Sequence, residues 1–169
     1  MHRLNMHFWL RQMTPFLFCL LLVLGHLVPY HFLPYYPYSI QWTFIPIFYF
    51  AIYNPRCLSS WAVFLLGIIS EMLVQSPMGV TTFCFVLLFF MANFLRRYLL
   101  ELTFGRLWIV FAAMLLVVEI INYLFVTMMA PNPVAFLPVL VEFWVLLLFY
   151  PFIMRLCAHF DKKVRETAL

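Results

Sequence analysis

The chain has 169 residues, of which 67% are hydrophobic and only 9% charged, and its mean hydropathy is +1.02. A water-soluble domain carries roughly a quarter of its residues charged; ten Lys/Arg and six Asp/Glu cannot cover such a surface. Disorder, a disulfide scaffold and a soluble enzyme are excluded together, and an integral membrane protein is expected. The apolar runs are continuous, not alternating as in an outer-membrane barrel, so the expected class is all-α.

Charge and proline punctuation divide the chain into six apolar segments within one transmembrane domain, 1–169. They run roughly over 15–28, 38–53, 58–74, 80–95, 107–129 and 134–153. Several fall short of the about 20 residues that cross a hydrocarbon core, so local thinning or interfacial aromatics would absorb the difference. A five-span count results if 38–53 only dips into the membrane. The first segment follows Arg3 and Arg11 and lacks a small-x-small cleavage triplet after Leu24, which predicts an uncleaved first span.

With the N-terminus inside, every basic residue falls on the cytoplasmic side. Arg3 and Arg11 precede the first span, and Arg56 lies in the second connection. Arg96, Arg97 and Arg106 lie in the fourth, and Arg155, Lys162, Lys163 and Arg165 in the tail. The outer loops, Pro29 to Pro37, Gln75 to Gly79 and Ala130 to Pro133, contain no Lys or Arg. This asymmetry predicts six spans with both termini cytoplasmic. The net charge of +4 then reflects topology and contact with anionic lipid, not nucleic-acid binding.

The catalytic motifs are missing. Cys19, Cys57, Cys84 and Cys157 have no CxxC or ligand spacing, and His2, His7, His26, His31 and His159 form no HExxH pair. There is no GxSxG elbow, P-loop or dinucleotide fingerprint. Neither catalysis, a cofactor nor a metal is expected.

What stands out is carboxylate placement. Glu71, Glu119 and Glu142 lie inside the third, fifth and sixth segments, where an ionisable group costs at least about 2 to 3 kcal/mol on insertion scales. At 1.5 Å per residue, Glu71 and Glu119 lie about 18 to 20 Å from the cytoplasmic side and Glu142 about 12 Å below the outer surface. All three share one level, with Asn122 one turn from Glu119 and Ser70 beside Glu71 as available partners. Two readings are open: neutral acids that hydrogen-bond the helices together, or a proton or cation path. A third is recognition of a polar group on a partner's span.

Gly67-Ile-Ile-Ser-Glu71-Met-Leu-Val-Gln-Ser-Pro77-Met-Gly79 is the most informative segment. Gly67 permits close helix approach, and Pro77 with Gly79 supplies the tight reversal of a short connection. Here the sequence resembles MreD, the rod shape-determining membrane protein family of bacteria. Gly67, Glu71, Ser76, Pro77 and Gly79 fit its Gly, acid, turn and second-Gly pattern. Pro55-Arg56 is similar to its turn after the second span, and Val117-Val118-Glu119-Ile120-Ile121 to its acidic motif in the fifth. Pro151 before a basic tail resembles its last span. The family's usual Asp is Glu at 71 and 119, and a frequent Gly is Gln75.

The resemblance implies a bundle similar to the substrate-binding subunits (S-components) of energy-coupling-factor (ECF) transporters. It also implies a non-catalytic scaffold of the bacterial inner membrane within the elongasome, the cell-elongation and peptidoglycan-synthesis machinery. The implied partners are MreC, the actin-like MreB, the glycosyltransferase RodA and a class-B penicillin-binding transpeptidase. The alternative is a vitamin-like small-molecule transporter subunit with Glu71, Glu119, Glu142 and Asn122 lining its cavity. Tyr30, Tyr35, Tyr36 and Tyr38, set among Pro29, Pro34 and Pro37, are outer-loop contact candidates or an interfacial aromatic belt. The tail pairs Asp161 with Arg165 and Lys162 with Glu166 at i,i+4, predicting a helix that runs out of the sixth span.

Overall fold

The computed structural model describes residues 16–25, 40–55, 58–74, 79–129 and 136–166. All regular structure among them is helical: α1 (16–24), α2 (Phe44–Tyr53), α3 (Ser60–Val74), α4 (Val80–Phe94), α5 (Arg96–Leu99), α6 (Phe104–Met129) and α7 (Leu137–Glu166). Two of them, Phe104–Met129 and Leu137–Phe160 within α7, are long and apolar enough to cross a membrane.

The apolar pattern dictates who sits in the middle. Helix α2 is hydrophobic all round, the composition of an interior helix, and every residue from Phe44 to Ile52 is buried. Its Pro46 is harmless because a first-turn N–H has no intrahelical acceptor. Its ten residues extend only about 15 Å, shorter than the expected 38–53, because the chain before Phe44 turns to bond α4 and α7. Helices α6 and α7 instead bury one stripe each, with identical spacing: Leu107, Phe111, Met114, Leu115 and Val118 on α6, Leu146, Tyr150, Ile153, Met154 and Cys157 on α7. This i, i+4, i+7, i+8, i+11 pattern is the seam of one helix face.

Side-chain contacts fix the directions. Phe111 stacks on Tyr150 at 4.5 Å and Tyr123 meets Phe136 at 5.2 Å, so α6 and α7 are antiparallel. Phe44 on Phe85 and Gln41 on Thr81 make α2 parallel to α4. Gly67 against Thr82 closes α3 and α4 into an antiparallel hairpin. Gln41 on Glu142 and Phe48 on Tyr150 make α2 parallel to α7, so α2, α4 and α7 run one way, α3 and α6 the other.

Two joints hold the ends of these helices. Arg96, opening α5, donates from Nε to the carbonyl of Ile52 at 2.6 Å, capping the last turn of α2 where carbonyls lack intrahelical donors. In α7, Pro151 has no N–H for the carbonyl four residues back. That carbonyl belongs to Leu147, and the indole Nε1–H of Trp108 donates to it at 3.1 Å. Helix α7 therefore passes through Pro151 and continues to Glu166; the 161–165 and 162–166 side-chain pairs lie outside the described residues.

Candidate functional site

Helix α4 begins at Gly79, a glycine with φ +95° and no side chain to cap the helix. Its first N–H groups need acceptors, and Glu71, on the preceding helix, provides them. Oε2 accepts the N–H of Gly79 at 2.9 Å and Oε1 that of Thr82 at 2.7 Å. Both bonds lie at the positive end of a helix. The carboxylate reaches that end because α3 and α4 touch closely. A Cβ on Gly67 would lie 2.6 Å from Thr82 Cα, a separation no side chain tolerates. Gly67, Glu71 and Gly79 thus form one unit. Gln75, Ser76 and Pro77 lie outside the described residues.

Glu142 performs a related task for α2. Its Oε1 accepts the N–H of Gln41 at 2.9 Å, and the Gln41 amide donates from Nε2 to Thr81 Oγ1 at 3.4 Å. The start of α2 is thereby fastened to α7 on one side and to the first turn of α4 on the other.

Glu119 differs from both. It is 3% exposed on α6, and neither carboxyl oxygen meets a donor in hydrogen-bond geometry. The expected Asn122 is on the next turn and bears on the carboxyl without reaching that geometry. Glu142 is its electrostatic neighbour, and all three carboxylates act on the Cys84 thiol of α4, whose Sγ donates to the Val118 carbonyl at 3.9 Å. The three acids therefore gather around the first turns of α4. Ser70, read as a partner for Glu71, is buried with its hydroxyl unbonded, because the backbone of α4 takes both Glu71 oxygens.

Pro55 follows α2 in a half-buried turn. Arg56, His26, His31 and the tyrosines at 30, 35, 36 and 38 lie outside the described residues. Sequence reasoning missed Gln41, Thr81, Thr82, Arg96 and Trp108, which act through or upon backbone groups. Only Trp108 left a signal, through the carbonyl that Pro151 must free. Among the described residues no three His, Cys, Asp or Glu side chains converge as metal ligands. Among the described residues, Glu71 and Glu142 bind helix starts.

Among curated proteins and among solved structures, none matches the chain. The sequence pattern of the family described as rod shape-determining protein MreD matches residues 6–160, a stretch that contains all three carboxylates, both joints and every described helix except the end of α7. The chain belongs to the MreD family of rod shape-determining membrane proteins.

Proposed function

We propose that this chain is a non-catalytic adaptor of the cell-elongation complex in the bacterial inner membrane, binding MreC and helping to link MreB to RodA and a class-B penicillin-binding transpeptidase. The observation that carries the reading is the family match over residues 6–160. The use of two of three intramembrane acids agrees with it. Glu71 and Glu142 fasten helix ends, which suits a rigid body that presents surfaces to partners.

Six spans with both termini cytoplasmic complete the proposal. The alternating directions of α2, α3, α4, α6 and α7 support it, as does the confinement of Lys and Arg to the segments on one side. Helix α5 is then a four-residue turn on the cytoplasmic side, with Arg96 and Arg97 at the membrane boundary. The bundle would be one domain.

The test is purification of the tagged full chain from its native membrane in mild detergent, with mass spectrometry of the bound proteins and small molecules. The adaptor reading expects MreC and cell-wall synthases in the eluate. Recovery of a vitamin-like ligand with ATPase subunits, and without MreC, would replace it by the transporter reading.

A further inference from the structure

The helices differ in how much membrane they can span. Helix α3 has 15 residues, a length of about 22 Å, whereas the hydrocarbon core of a bilayer is about 30 Å thick. On α6 the stretch from Leu107 to Met129, free of Lys and Arg, is about 34 Å long. Contacts between the helices show at which end the difference falls. Gly67 of α3 lies against Thr82 of α4, so Ser60 is level with Phe89. Phe83 meets Phe125 at 5.7 Å and Cys84 bonds the Val118 carbonyl, which brings that level to Val117 on α6. Phe111 on Tyr150 carries it to Trp144 on α7. From there α4 continues for about 10 Å before Arg96, and α6 and α7 for about 16 Å before Arg106 and Arg155. By the same register the other ends of α3 and α6, Val74 and Met129, are nearly level.

Helix α3 therefore begins at a depth that is hydrocarbon on the far flank, and the groups it places there are polar. Ser59 and Ser60 are exposed, and the first N–H groups of the helix have no intrahelical acceptor. Such groups are not tolerated against lipid chains. Tilting cannot bring them to the surface, because a helix shorter than the core spans still less when tilted. Trp61, the next residue, is 77% exposed, and tryptophan collects at the level of the headgroups. Beyond it Phe64, Leu65 and Met72 give α3 an apolar outer face. A second protein on this face would cover the side chains and leave the depth of the helix start unchanged. A bilayer that thins brings headgroups and water to it.

We propose that the α3 flank of the bundle holds the bilayer locally thin, drawing headgroups in to Ser59 and Ser60, while α6 and α7 face a bilayer of full thickness. The occupant of the α3 face is phospholipid with short acyl chains. A bundle of this shape gathers in thin membrane and carries a step in thickness around itself. The inference rests on the membrane crossing of α3 in the six-span reading above.

The first test uses single cysteines in the full chain with its four native cysteines replaced, in opened native membranes treated with a charged, water-soluble thiol reagent. Ser60→Cys is expected to react. Val117→Cys, at the same level on the far flank, and Leu65→Cys, more than a turn further along α3, are expected to stay unlabelled. A Ser60→Cys as inert as the other two, or a Val117→Cys as reactive as Ser60→Cys, would overturn the thinning and leave the crossing intact. Reaction of Leu65→Cys as fast as Ser60→Cys would overturn the crossing, and the proposal with it. The second test places the full chain in vesicles of brominated dioleoyl phosphatidylcholine diluted with unbrominated lipid. The share of fluorescence quenching due to Trp61 is the difference between wild type and Trp61→Phe. Dimyristoleoyl phosphatidylcholine is expected to relieve that share several-fold more effectively than dioleoyl phosphatidylcholine. Equal relief by the two lipids would overturn the proposal. So would a Trp61 that lipid does not quench, which assigns the α3 face to a second copy of the chain.

Discussion

Glu71 replaces the N-cap residue that α4 lacks. At the Ncap position a Ser, Thr, Asp or Asn would accept from N2 or N3; Gly79 has no side chain, and Glu71 takes the N3 donor, Thr82, from eight residues upstream of Gly79. Glu71→Leu is therefore expected to strand two N–H groups, at about 1–3 kcal/mol each, while Glu71→Gln retains one acceptor and loses less. Gly79→Val meets a separate penalty, since a β-branched residue at φ +95° sits in a region that costs L-residues about 1–2 kcal/mol. Thermal unfolding in detergent should rank wild type above Glu71→Gln, and Glu71→Gln above Glu71→Leu. A Gly79→Val protein as stable as wild type would show that the positive φ is dispensable. The positions of this unit were legible in sequence, because an acid within an apolar run and two glycines around a short turn have few explanations. Its chemistry was not. Sequence suggested side-chain partners such as Ser70, whereas the acceptors are taken by amide groups, which every residue carries and no pattern marks.

At the level of helices, the joint at Pro151 is the most specific. Pro151 frees the Leu147 carbonyl, and Trp108 on α6 fills it, so a residue that would weaken α7 becomes a tie between α6 and α7. The two sites must then be coupled. Trp108→Phe keeps the ring and removes the donor, leaving that carbonyl unpaired at about 1–3 kcal/mol. In a Pro151→Ala background the backbone N–H restored at position 151 bonds the Leu147 carbonyl, and Trp108→Phe should lose little. A double-mutant cycle on unfolding midpoints is expected to show this non-additivity; strictly additive effects would mean that the indole and the proline act independently. The sequence predicted apolar segments near α3, α4, α6 and α7 because composition alone marks them. It placed the second at 38–53, whereas α2 has only Phe44–Tyr53. Hydropathy cannot distinguish helix from the apolar turn Ile40-Gln-Trp-Thr43 that leads into it, since hydrogen bonds to Glu142 and Thr81 from distant chain positions decide the boundary. At the other end hydropathy falls after Ile153, but the i,i+4 spacing of the tail charges predicted a helix running out of the sixth segment, and α7 extends to Glu166.

For the whole molecule, charge and helix direction are independent kinds of information that agree. The contacts make α2, α4 and α7 parallel and α3 and α6 antiparallel to them, which follows from folding and owes nothing to Lys and Arg. Eight of the ten basic residues independently fall in sequence after α2, after α4 or in the last part of α7, as expected if those ends face the cytoplasm. If both hold, position 101, between α5 and α6, and position 132, between α6 and α7, lie on opposite sides of the membrane. In a background with the four native cysteines replaced, Asn132→Cys should react with a membrane-impermeant maleimide in intact spheroplasts. Glu101→Cys should react only after the membrane is opened. Labelling of Glu101→Cys in intact spheroplasts would invert the bundle, and with it the membrane face nearer to Glu71, Glu119 and Glu142. Equal labelling of both would break the alternation itself, leaving α6 packed in the bundle without crossing the membrane.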